Sequence, residues 1–124
     1  MTIEGLGYIN SILEGLEVPY EFMEWSSDVP DTYWTGEYQE IEPLNEDGLE
    51  ECDFLLMGNT NKTYLELETV KEKLKNLLGC EGLTDILPSG SGIAICYSNA
   101  YPVPSVEAGI HRIQITLRIK EFRI

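Results

Sequence analysis

The side chains able to do chemistry in this sequence are mostly carboxylates: 22 of 124 residues are Asp or Glu, against eight Lys or Arg and one histidine. Carboxylates can act as an acid–base pair, or hold a cation when several oxygens converge. In Glu50-Glu51-Asp53 the alternation of a strand splits the string across two faces, which keeps the oxygens apart. The turn Asn45-Glu46-Asp47-Gly48 departs from the calcium-loop pattern, which needs ligands at alternate positions and a glutamate at the loop's end. A weak cation site there is the one metal reading left open, and no cofactor or catalytic residue is expected. His111 opens a strand beside Arg112 with no serine or cysteine near it in sequence, so no nucleophile–base pair is indicated. Ser89-Gly90-Ser91-Gly92 has neither the Gly-Lys-Ser/Thr grip of a phosphate loop nor the flanking glycines of a nucleophile elbow, and reads as a flexible loop. Cys52, Cys80 and Cys96 are odd in number and widely spaced, which suggests neither a disulfide framework nor a zinc site and fits a reducing compartment. The residue types point to a protein that makes no bonds of its own.

Charge is distributed unevenly. Residues 1–61 hold fifteen acids and no Lys or Arg, while residues 62–124 hold seven acids and all eight bases, for a net charge of −14. An acidic surface repels phosphate backbones, whose affinity for proteins comes largely from Lys and Arg displacing counterions, so specific nucleic-acid binding is not expected. Apolar residues at 43% and charged residues at 24% are ordinary for a folded soluble protein. The length suits one domain over residues 1–124. The acidic segment Met1–Glu17 lacks the basic start and apolar run of a secretory signal, and no window of 18 apolar residues occurs. Cytoplasmic synthesis without membrane association is the expectation.

The elements that must position these residues form an α+β pattern. Leu6, Ile9, Leu13 and Leu16 are spaced for a helix over residues 2–17 with Thr2 as cap, although Gly5, Gly7 and Gly15 weaken it. Residues 18–34 read as a short extended segment and a loop, with Trp25, Tyr33 and Trp34 either plugging the core edge or anchoring another subunit. Two strand-like runs joined by Asn45–Gly48 predict an acidic hairpin, with Cys52, Phe54 and Leu56 on one face of its second strand and Glu51 and Asp53 on the other. Thr63 and Glu66 match a capping box ahead of a helix over residues 64–78 with the stripe Leu67, Val70, Leu74 and Leu77, stopped by Gly79. Ile93–Ser98 alternates as a strand, and Tyr101–Gly109 reads as a proline-bearing loop.

The last fourteen residues, HRIQITLRIKEFRI, carry four of the eight bases. Ile113, Ile115, Leu117 and Ile119 face one way, and Arg112, Gln114, Thr116, Arg118 and Lys120 the other. Phe122 and Ile124 break that parity, which predicts a bend or bulge near Lys120-Glu121. The positive face of this strand has a counter-surface in the acidic hairpin of the same chain or of the next copy; the alternative is a merely solvated face. The expected fold is α+β, an antiparallel sheet with two main helices on one face.

This order, with YWTGEYQEIEP and LEECDFLLMGNTNKTYLE around an acidic turn, the helix LETVKEKLKNLLG and the final alternating strand, resembles the tail-terminator or tail-completion proteins of long-tailed phages and prophages. The resemblance covers nearly the whole chain at the level of elements. It implies a ring, commonly a hexamer, that caps the tail tube and faces the head connector, made in the host cytoplasm and carried in the virion tail. Glu37, Glu40, Glu42, Glu51 and Asp53 set against Arg112, Arg118 and Lys120, with Trp25 and Trp34, are the expected contact residues of such a joint. The rival reading is a small acidic inhibitor, such as a nuclease immunity protein or DNA mimic, that occupies a basic cleft.

Overall fold

The computed structural model describes residues 1–26, 28–105 and 107–123. In chain order its elements are α1 (Ile3–Gly15), β1 (Tyr20–Phe22), β2 (Thr32–Glu42), β3 (Leu49–Thr60), α2 (Tyr64–Leu78), β4 (Leu83–Ile86), β5 (Gly92–Val103) and β6 (His111–Phe122). The strands form one curled sheet in the order β1-β2-β3-β6-β5-β4. Every pairing is antiparallel except β1 with β2, which is parallel. This is the expected α+β fold, in which β1 is the short extended segment read after α1 and β4 a short edge strand that the periodicity did not reveal.

Core and helices follow from alternation. Phe54 and Leu56 of β3, Ile113, Ile115, Leu117 and Ile119 of β6, and Ile93 and Ile95 of β5 are all buried with Ile9 and Leu13 of α1 and Leu67 and Leu74 of α2. Burying the four aliphatics of β6 contributes roughly 6–12 kcal/mol before chain entropy is subtracted, and the strand lies mid-sheet between β3 and β5. The stripe of α2 ends on Leu78 in place of Leu77, which is exposed. Gly79, at φ 63°, stops the helix, its N–H donating to the Lys75 carbonyl at 2.9 Å. Thr2 caps α1, its hydroxyl accepting from the Gly5 N–H at 2.9 Å.

Three local expectations are corrected. Thr63 precedes α2 without any side-chain capping bond, and Glu66 instead accepts from the Thr32 hydroxyl across the sheet edge; a carboxylate with a nearby hydroxyl on another strand has no need to reach back to its own cap. The register of β6 with β3 runs unbroken through Lys120, Glu121 and Phe122, so no bend occurs there. Glu121 keeps the inward parity of Ile113–Ile119 and is buried, because Thr2, the cap of α1, supplies it with hydrogen-bond donors. Ile124, the other residue invoked for the bend, lies outside the described residues. Finally, Tyr101–Val103 belong to β5 rather than to the loop. The irregularities in the sheet fall instead at Glu40/Glu42 in β2 and Tyr97/Asn99 in β5.

The turn between β2 and β3 is built as its sequence suggests. Gly48 adopts φ 84°, which a side chain would resist. Asn45 Oδ1 accepts from the backbone N–H groups of Asp47 at 3.0 Å and Leu49 at 3.1 Å, fixing the turn from within.

Candidate interaction surface

The hairpin β2–β3 and the terminal strand β6 meet on the face of the sheet away from the helices. Register sets Asp53 opposite Arg118, Glu51 opposite Lys120 and Asn59 opposite Arg112. Arg118 Nε donates to Asp53 Oδ1 at 2.8 Å and an Nη to Glu51 Oε1 at 3.2 Å. These two charge-assisted bonds hold the guanidinium pKa above its ordinary value. Lys120 Nζ lies 3.9 Å from the same Glu51 oxygen, and Arg112 Nε donates to Asn59 Oδ1 at 2.9 Å. Of the two counter-surfaces open to the basic face, the structure supplies the one within the chain.

The remaining predicted contact residues are treated differently. Glu37, Glu40 and Glu42 are all exposed, and among the described residues none has a Lys or Arg within ion-pair distance; Glu40 approaches only the terminal amine of Met1, at 3.9 Å. The structure thus divides the expected set into a compensated group on β3 and β6 and an uncompensated acidic group on β2. Trp34 is fully buried, which places it in the core rather than at an exposed anchor. Trp25 is half-buried with its ring edge-on to Tyr33, centroids 5.8 Å apart.

Sequence reasoning missed what surrounds the acids of β2. Phe22 and Tyr38 stack at 6.3 Å between centroids, and both stay partly exposed beside Ile41. On the opposite, helix-free face Met23, Glu37, Leu55, Met57 and Arg112 line an open groove of about 180 Å³. The parallel pairing of β1 with Trp34–Gly36 is what brings Phe22 to Tyr38, and a three-residue strand leaves no periodicity to find. Glu121 was legible in principle, since it shares the parity of Ile113–Ile119.

Ser89 and His111 both make contacts within the fold. Ser89 donates from its N–H and its hydroxyl to Glu4, at 2.8 and 2.7 Å, so the loop expected to be flexible is tied to α1. His111 is exposed and packs edge-on against Tyr64 at 6.0 Å. Among the described residues no group of three or more His, Cys, Asp or Glu side chains is placed to hold a metal ion, and Asn45, the first residue of the acidic turn, spends its oxygen on the turn's own backbone. Burial pushes the Cys52 thiol up to about 12, which makes it inert. No described helix is long and apolar enough to cross a membrane. No protein-family model matches this chain, and no curated protein matches it in sequence.

Proposed function

We propose that this chain is a structural assembly protein of the tail-terminator kind, a non-enzymatic component that forms a ring, caps a phage-type tail tube and meets the head connector. The element order supports the reading, and one observation carries it: β2 displays Glu37, Glu40 and Glu42 beside exposed Tyr38 and Ile41, a mixed acidic and apolar strip on a strand edge. Such a strip is suited to protein contact, where apolar groups supply affinity and charge selects the partner. Assembly in the host cytoplasm and residence in the virion tail follow from the same reading. The experiment is mass in solution, alone and with a purified tail-tube protein, combined with electron microscopy of the tubes. Rings on tube ends and tubes of limited length are expected. A chain that stays at 14.0 kDa, leaves tube length unchanged and never appears at tube ends overturns the proposal.

A second reading is favoured by the internal compensation of the bases. Arg118 and Lys120 are engaged by Glu51 and Asp53, Arg123 by Glu50, Lys62 by Asp31 and Lys71 by Glu68. What remains outward is predominantly negative, which suits an acidic inhibitor seated in a basic cleft better than self-association through opposite charges. Tight, salt-sensitive binding to a basic enzyme by a monomer would select this reading.

A further inference from the structure

The two edges of the sheet are unequal. At one edge, β4 covers only Gly92–Ile95 of β5. The rest of β5 is interrupted by the register shift at Tyr97/Asn99 and carries Pro102, and a short outer strand, a bulge and a proline are devices that discourage pairing with another chain. At the other edge, β1 pairs only with Trp34–Gly36 of β2. The chain then leaves at Met23, whose N–H donates to the Gly36 carbonyl at 2.8 Å and whose φ is 67°. Beyond that point Glu37–Glu42 pair with β3 alone, and no further strand covers them among the described residues.

Backbone parity decides what this uncovered segment offers. The Trp34 N–H donates to the Pro19 carbonyl, and the Gly36 carbonyl accepts from Met23, both on the β1 side. Backbone groups alternate along a strand, so the N–H and C=O groups of Tyr38 and Glu40 point the same way, past the end of β1. They form a docking line for an added strand. Its flanks are Glu37 and Glu42 on the helix-free face, and Glu40 and Tyr38, stacked on Phe22, on the helix face.

We infer that β2 accepts an extended, Lys- and Arg-bearing segment of another protein as an additional strand of the sheet. Charge excludes self-pairing, because two β2 edges side by side set Glu37, Glu40 and Glu42 against one another. The chain's own basic strand cannot serve, since β6 is already paired on both sides by β3 and β5. The fitting segment alternates, placing bases opposite Glu37 and Glu42 on the helix-free face and apolar side chains against Tyr38 and Phe22 on the helix face, while main-chain bonds give affinity without regard to sequence. This rests on the reading of the chain as a protein-binding component and is independent of ring closure.

The test is amide hydrogen exchange on the full ¹⁵N-labelled chain at low salt, with a nine-residue peptide alternating Lys and Val and a counterpart alternating Glu and Val. The Lys peptide is expected to bind and slow exchange of the Tyr38 and Glu40 amides at least about tenfold, as strand hydrogen bonding requires. The triple variant Glu37→Lys, Glu40→Lys, Glu42→Lys is expected to release it and take the Glu peptide. Tyr38→Pro, which removes one outward N–H and leaves the ladder with β3 intact, should weaken the Lys peptide while the β3 and β6 amides stay protected. No binding, binding that leaves Tyr38 and Glu40 unprotected, or a charge-reversed variant that still prefers the Lys peptide overturns the inference. Ring formation is read by mass in a separate measurement, so failure of one is distinguishable from failure of the other.

Discussion

Glu121, near the end of the chain, accepts hydrogen bonds from Thr2 near its start: the Thr2 N–H at 3.1 Å and the Thr2 hydroxyl at 2.6 Å. The Thr2 hydroxyl in turn accepts from the Gly5 N–H. A carboxylate buried to 2% exposure thereby locks the cap of α1 to the end of β6. A buried carboxylate costs several kcal/mol unless donors compensate it, and this cap supplies them. The same contact explains a glycine that helix propensity alone marks as a weakness: a Cβ on Gly5 would lie 2.6 Å from the Glu121 carboxylate oxygen.

Gly5 and Gly7 of α1 should therefore behave differently. Gly5→Ala pushes against a hydrogen-bonded, buried carboxylate and is expected to cost about 1–3 kcal/mol. Gly7→Ala, with nothing within 4 Å of the added carbon, is expected to stabilise by up to about 1 kcal/mol through helix propensity. Urea midpoints at constant slope would settle the matter, and equal midpoints for the two variants would remove the Thr2–Glu121 lock from the account.

A second packing prediction concerns Gly58 of β3. Its added Cβ would lie 2.6 Å from the Trp34 ring, and Trp34 is fully buried among core side chains that cannot retreat. Gly58→Ala should cost about 1–3 kcal/mol or force the indole to a new position, seen as a lowered midpoint together with a changed tryptophan emission. An unchanged midpoint and spectrum would mean that the core is looser than the contact implies.

Alkaline pH should weaken the fold. Burial pushes both the Cys52 thiol and the Tyr20 hydroxyl up to about 12, while their ordinary values are 9.0 and 10.0. The unfolded chain releases these protons first, so stability is fully present below about pH 9 and declines as pH rises toward 12, by up to about 1.4 kcal/mol per pH unit for each group that has ionised only in the unfolded state. Denaturant melts at pH 8 and pH 10.5 should show the loss, and Cys52→Ala should remove part of the pH slope. A flat profile across that range would contradict the burial of these groups.

How much of this was legible beforehand depended on the length of each element. Residues 64–78 and 111–119 carry enough periodic positions for their class and inward face to be read directly, and Asn45–Gly48 names its own turn. The three-residue β1 and four-residue β4 are too short for any period. Their places are set by tertiary pairing, as when Tyr20 aligns with Trp34. Thr63 and Glu66 show the opposite failure: a valid local motif lost to a distant hydroxyl, that of Thr32. The bend expected near Lys120-Glu121 rests on apolar Phe122 and Ile124 at the outward parity, and it fails because Glu121 keeps the inward parity with a partner 119 residues away in sequence. For the candidate surface, sequence located the charges but not their compensation. Asp53 and Arg118 both suit contacts between copies by charge, and only register reveals that they face each other in one chain.

Arg118 is 39% exposed on its side chain and bridges Asp53 and Glu51, so solvent screens the interaction, and it is expected to be worth no more than about 1 kcal/mol. Arg118→Gln should cost roughly that amount at low salt and almost nothing near 1 M, where the Debye length falls to about 3 Å. Lys120→Gln, with its longer contact of 3.9 Å to Glu51, should cost less at every salt concentration. If Arg118 and its two carboxylates instead belonged to a joint between copies, Arg118→Gln would leave the isolated chain's stability unchanged and alter its assembly. Melts at low protein concentration, where association is suppressed, therefore decide between the compensated surface seen here and an intermolecular role: a salt-sensitive loss in the monomer supports the first, and its absence the second.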